Sequence, residues 1–162
     1  MAVTQDIWQT YRGPSRVVGR LLQDGRQEVR ALLFALIACA LVFVALAPYQ
    51  AREAALNPEG PLSVRLYWSA FLWIFVMPLL LYVVSTAIWL IFRLFGSRRT
   101  AYEVRLTLFW ALLAASPVLL LLGLVLGLIG PGLQAQIVGV VWAAVVLWFW
   151  IGGLFGAGRA TA

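Results

Sequence analysis

Four stretches of this chain, residues 31–47, 66–92, 106–129 and 133–155, run for at least seventeen residues without one Asp, Glu, Lys or Arg. Crossing about 30 Å of hydrocarbon takes about 20 apolar residues, within a working range of roughly 17 to 25. In lipid a backbone N–H or C=O has no water to turn to, so the bilayer enforces helix on each run. The third run alone holds fifteen Leu, Ile, Val or Phe residues. At roughly −0.4 kcal/mol each, these favour insertion by about 6 kcal/mol. All six acidic residues (Asp6, Asp24, Glu28, Glu53, Glu59 and Glu103) fall outside the runs. Charged residues make up 11% of the chain, against about 25% in soluble domains. The sequence is that of an all-α integral membrane protein with four spans.

Two of the runs carry a proline near the middle: Pro78 in WIFVMPLLLYVV and Pro117 in LLAASPVLLLL. A helix-interior proline costs roughly 3 kcal/mol in water and frees a carbonyl four residues back, here that of Ile74 or Leu113. Ser85, Thr86 and Ser116 are nearby donors for the freed groups. Both runs exceed the bilayer thickness, so a kink at each proline fits them to it. Paired kinks opening a cavity for a lipid or substrate are the functional alternative.

Arginine placement gives the orientation, because cytoplasmic flanks retain positive charge. Arg12, Arg16, Arg20, Arg26 and Arg30 precede the first run, Arg93, Arg98, Arg99 and Arg105 lie between the second and third, and Arg159 follows the fourth. The alternate loops hold only Arg52 and Arg65. Four spans place the larger group on one side, with both termini cytoplasmic, in a membrane expected to be the bacterial inner membrane. Trp89, Trp110, Trp148 and Trp150 then mark the cytoplasmic boundary, and Tyr49, Tyr67 and Trp68 the opposite one. The first run ends ALA before Pro48, imitating a signal-peptide cleavage site. The thirty preceding residues and the proline after the proposed cut argue for a retained span.

The chain therefore divides into a cytoplasmic arm (1–30), a bundle (31–158) and a tail (159–162). From Pro14 the arm places Val17, Val18, Leu21, Leu22, Gly25 and Val29 along one helical face. Proline at the first helical position and this stripe predict a basic amphipathic helix on the membrane surface. Arg16, Arg20, Arg26, Arg30, Arg98 and Arg99 are the expected contacts for anionic headgroups, each contributing about 1 kcal/mol. Small residues four apart let helices approach closely in lipid. Gly123 and Gly127, Gly139 and Ala143, Gly152 and Gly156, and Ala31 and Ala35 have that spacing and are expected to pack the bundle, or secondarily to mediate self-association.

The chain has no histidine and a single cysteine, Cys39, inside the first run. That excludes an imidazole base, a His-ligated metal or haem, and an intrachain disulfide. No P-loop, dinucleotide fingerprint or nucleophile elbow is present. Coupled ion transport normally leaves an ionisable residue inside a span, and only Arg93 comes near one. No catalytic, cofactor or metal-ligating residue is expected, and the net charge of +6 reflects topology rather than nucleic-acid binding.

The portion FGSRRTAYEVRLTLFWALLAASPVLLLLGLV resembles the central signature of the Yip family, membrane proteins named for interacting with Ypt/Rab GTPases. Gly96, Thr100, Tyr102, Arg105 and Pro117 carry the resemblance, which extends over most of the chain from about Pro14. Family members usually have five spans, whereas four are counted here. Eukaryotic members act in vesicle traffic and membrane shaping, so the resemblance implies a membrane role. The expected function is a non-enzymatic membrane protein that organises lipids or protein partners through its basic cytoplasmic face. The alternatives are an accessory subunit of a larger membrane complex and a facilitator for an uncharged or amphiphilic substrate.

Overall fold

A computed structural model of the chain describes residues 3–23, 25, 27–57, 61–97 and 99–160, and all regular structure among them is helical. The elements are α1 (Val3–Thr10), α2 (Pro14–Gln23), α3 (Glu28–Leu56), α4 (Leu62–Phe71), a π-helical turn (Leu72–Val76), α5 (Met77–Leu94), α6 (Ala101–Ala114), α7 (Ser116–Leu128) and α8 (Leu133–Ala160). Three helical stretches are long and apolar enough to cross a membrane: Glu28–Leu56, Leu62–Leu94 and Leu133–Gly158. A fourth is present if α6 and α7, bent by 48° at Ala115, form one span.

Local chemistry sets the helix ends. Thr100 and Glu103 form a capping box in which the Glu103 N–H donates to Thr100 Oγ1 (3.3 Å) and the Thr100 N–H to Glu103 Oε2 (3.3 Å). Two orphan donors at the start of α6 are thereby satisfied. At the other ends, Gly96 (φ +78°) follows α5 and Gly130 (φ +102°) follows α7. This left-handed conformation is strained for a side chain with Cβ, so glycine stops both helices.

Helix α6 is the axis of the core. Its Tyr102, Leu106, Phe109, Trp110 and Leu113 are buried against Ala31, Phe34, Ala35 and Ala38 of α3, Phe149 of α8, and Val17, Val18 and Leu21 of α2. Aromatic pairs join the layers: Phe34 to Trp110 at 5.0 Å, Tyr82 to Phe109 at 5.1 Å and Tyr11 to Phe149 at 4.9 Å between centroids. Such offset or edge-on pairs contribute about 0.5–1.5 kcal/mol beyond area burial.

Several sequence expectations change here. The first run does not stop at Pro48: α3 continues through it to Leu56, as tertiary packing can hold a proline in an apolar helix. The second run stays helical at Pro78. The turn before it widens to π geometry, with the Met77 N–H donating to the Leu72 carbonyl five residues back, and Leu62–Leu94 stays one stretch. Ser85 and Thr86 do not reach the carbonyl of Ile74; both hydroxyls donate to the Tyr82 carbonyl, at 2.9 and 2.8 Å. Trp110 is not part of an interfacial belt, being 1% exposed in the core. The α2 part of the arm's apolar stripe packs inward, while Val29 is 70% exposed. Val17, Val18 and Leu21 are buried, because α2 packs on α8 where three glycines let it approach.

Candidate functional site

Helix α2, the start of α3, the start of α6 and the end of α8 meet at one end of the bundle, and among the described residues they carry Arg16, Arg20, Arg30 and Arg105. The glycines of α8 make this possible. A Cβ on Gly152 would lie 2.6 Å from Pro14 Cγ, and one on Gly156 2.3 Å from the Ser15 carbonyl oxygen. Those distances leave no room for a methyl group, so the pair forms the seat of α2 rather than a contact between spans. Gly123 and Gly127 lie against α3, with would-be Cβ positions 1.9 Å from the Ala45 carbonyl oxygen and 2.4 Å from Pro48 Cβ. Gly139 has nothing within 4 Å of its would-be Cβ and Ala143 is exposed, so this pair packs no interface among the described residues.

A buried polar chain pins the arm to the core. The Trp110 indole Nε1–H donates to Thr10 Oγ1 (3.1 Å), and the Thr10 hydroxyl donates to the Asp6 carbonyl (2.7 Å). The Asp6 carboxylate pairs with Arg20, and Arg30 donates to the Leu21 carbonyl. The start of α6 is tied across to α3. The Tyr102 hydroxyl accepts from the Gln27 N–H (3.2 Å) and donates to the Gln27 carbonyl (3.4 Å). Arg105 pairs with Glu28 (3.1 Å) and stacks over the Tyr82 ring at 5.2 Å. The five residues that carry the resemblance thus sit at structural junctions: Gly96 at a helix stop, Thr100 in a cap, Tyr102 and Arg105 in interhelix contacts, and Pro117 beside the bend.

The expected headgroup contacts divide. Arg20 and Arg30 are engaged within the chain. Arg99 is half-buried and stacks over Phe92 at 5.8 Å, while Arg26 and Arg98 lie outside the described residues. Arg16 is exposed, and so is Arg12, which the sequence reading did not single out. Together with Gln9, Gly13 and Val17 these two arginines line a hollow of about 230 Å³. Neither is paired with a carboxylate among the described residues. The four-residue spacing of Arg12 and Arg16 was readable; what hid their pairing is the turn between α1 and α2. The Tyr11 hydroxyl in that turn is buried without a partner among the described residues, and burial raises its pKa above the ordinary tyrosine value.

No group of three metal-ligating side chains occurs among the described residues. No family model matches the chain, and no similar curated protein or solved structure was found.

Proposed function

We propose that this chain is a non-enzymatic, four-span, Yip-like protein of the bacterial inner membrane, with both termini cytoplasmic, that organises anionic lipids or membrane-protein partners through its arginine-rich end. In this reading α6 and α7 form one span, bent because the Pro117 ring displaces the carbonyl of Leu113. The observation that carries it is the hollow bounded by Arg12 and Arg16, two exposed guanidinium groups with no carboxylate partner among the described residues, beside the polar Gln9 side chain. Planar guanidinium forks match phosphate geometry. Their neighbours in the arm, Arg20 and Arg30, hold the scaffold that presents them.

The test is enrichment of phosphatidylglycerol over phosphatidylcholine in lipid co-purified with the full chain from mixed vesicles. Two arginines near an anionic surface contribute about 2 kcal/mol, so R12Q/R16Q should lower the enrichment by roughly thirtyfold at low salt. R20Q/R30Q should leave headgroup selectivity in place and loosen the arm. Unchanged enrichment in R12Q/R16Q would overturn the assignment.

A further inference from the structure

A second feature lies at the middle of the bundle. Between α3, the π-helical turn, α5, the α6–α7 bend and α8 is a cavity of about 400 Å³. Cys39 and Val42 of α3, Met77 of α5, Leu112 and Leu119 on either side of the bend, and Trp142 of α8 form much of its wall. Among the described residues no charged side chain lines it. Its residues cluster near the midpoints of their helices, so in a bilayer-spanning bundle it lies in the hydrocarbon rather than at either surface.

We propose that this cavity binds a single hydrocarbon chain of a membrane lipid, entering sideways from the bilayer. Three observations support it. Protein interiors rarely keep voids larger than a water molecule, because an unfilled wall forfeits its dispersion contacts. Its wall is almost wholly apolar, and such a wall offers water few partners and readily takes apolar guests. It also falls in the volume range of small-molecule sites, which are concave and mostly apolar. The rim selects the source of the guest: Leu80 and Val84 belong to the cavity yet are 48% and 40% exposed. Both lie on α5, whose neighbouring Leu79 and Val83 are open to the surroundings. The mouth therefore faces acyl chains, and a charged headgroup finds no partner inside. The two prolines flank the site: Pro78 adjoins Met77 and the widened turn, and Pro117 lies between Leu112 and Leu119. This site goes beyond the arginine-rich end and shares no residue with it.

The test uses the full chain in vesicles containing a phosphatidylcholine with a photoactivatable diazirine midway along one acyl chain, with adducts mapped by peptide mass spectrometry. Met77 and Trp73, on the wall, should label at least fivefold more than the outward Leu79 and Phe95, saturating near one lipid per chain. Cys39→Phe fills the cavity from α3 and should lower wall labelling at least fivefold without changing that of Phe95. Leu80→Trp narrows the exposed mouth without disturbing the core and should act the same way, so the test stands even if Cys39→Phe fails to fold. Wall labelling no higher than that of Leu79, or undiminished in Leu80→Trp, overturns the proposal.

Discussion

Two runs of this chain look alike on paper and end in opposite places. Leu62–Leu94 and Ala101–Leu128 are both long, leucine-rich and interrupted by a central proline. In the first, the turn ahead of Pro78 widens and the helix continues, with only 11% of its most apolar window buried. In the second, the helix bends by 48° at Ala115, where φ −82° and ψ 0° leave the α-helical region, and α6 becomes the axis of the core. Hydrophobicity alone does not separate the two, since lipid accepts apolar side chains as readily as a protein interior does. The small and hydrogen-bonding residues separate them. Helix α6 carries Thr107, Trp110, Ala111 and Ala114 and is approached by Ala31, Ala35 and Ala38 of α3, whereas the outward face of α5 is Leu79, Val83, Leu90 and Leu94.

The largest expected effect follows directly. Trp110 is 1% exposed and donates to Thr10, so Trp110→Ala should lower stability by about 3–5 kcal/mol, read from reversible unfolding in mixed micelles. Leu79, 73% exposed, should change it by less than about 0.5 kcal/mol as Leu79→Ala. A comparable loss at Leu79 would mean that the α5 face is covered by something, and the contrast would fail.

Packing of the bent run is the next point to probe. Gly123→Ala drives a methyl into the backbone of Ala45 and should cost about 1–3 kcal/mol. The same change at Gly139, where nothing lies within 4 Å, should cost nothing in the monomer and gain up to about 1 kcal/mol of helix propensity.

The third comparison is geometric. With spin labels at Ala101 and Leu128, Pro117→Ala should lengthen the end-to-end distance by roughly 3 Å as the two arms straighten at 1.5 Å rise per residue. Labels at Leu62 and Leu94 should show no such change in Pro78→Ala. Equal responses would put the two prolines in the same structural role.

The smallest effect concerns the arm that covers α6. Burial favours the neutral Tyr11 phenol, so its folded pKa is raised. That contribution is complete below the unfolded value of about 10 and is lost as pH rises through the higher folded value. The arm should loosen from Phe149 above pH 10, seen as faster proteolysis after Arg12 or Arg16, and Tyr11→Phe should remove the dependence.

How much of this was legible in the sequence follows the same division. The apolar runs were readable because bilayer thickness imposes their length, and the stops at Gly96 and Gly130 fit the glycine rule. The Thr100–Glu103 capping box was also readable from its spacing and was passed over. The continuation of α3 through Pro48 and the absorption of Pro78 were not, because each depends on neighbouring helices. The Thr10–Trp110 bond, one hundred residues apart, has no local signature. The stripe of the arm was visible, but a helix face that suits lipid equally suits a glycine-lined helix, and only the three-dimensional position of Gly152, Gly153 and Gly156 decides between them.

The most direct measurement is the sidedness of the bent run. In a Cys39→Ala background, single cysteines at Ser97 and Gln134 would be labelled with a membrane-impermeant maleimide in intact cells and in inverted vesicles. If Ala101–Leu128 crosses the membrane, Ser97→Cys reacts only in inverted vesicles and Gln134→Cys only in intact cells. Reaction of both from the same side would make the bent pair re-entrant, place the termini on opposite faces and contradict the four-span bundle.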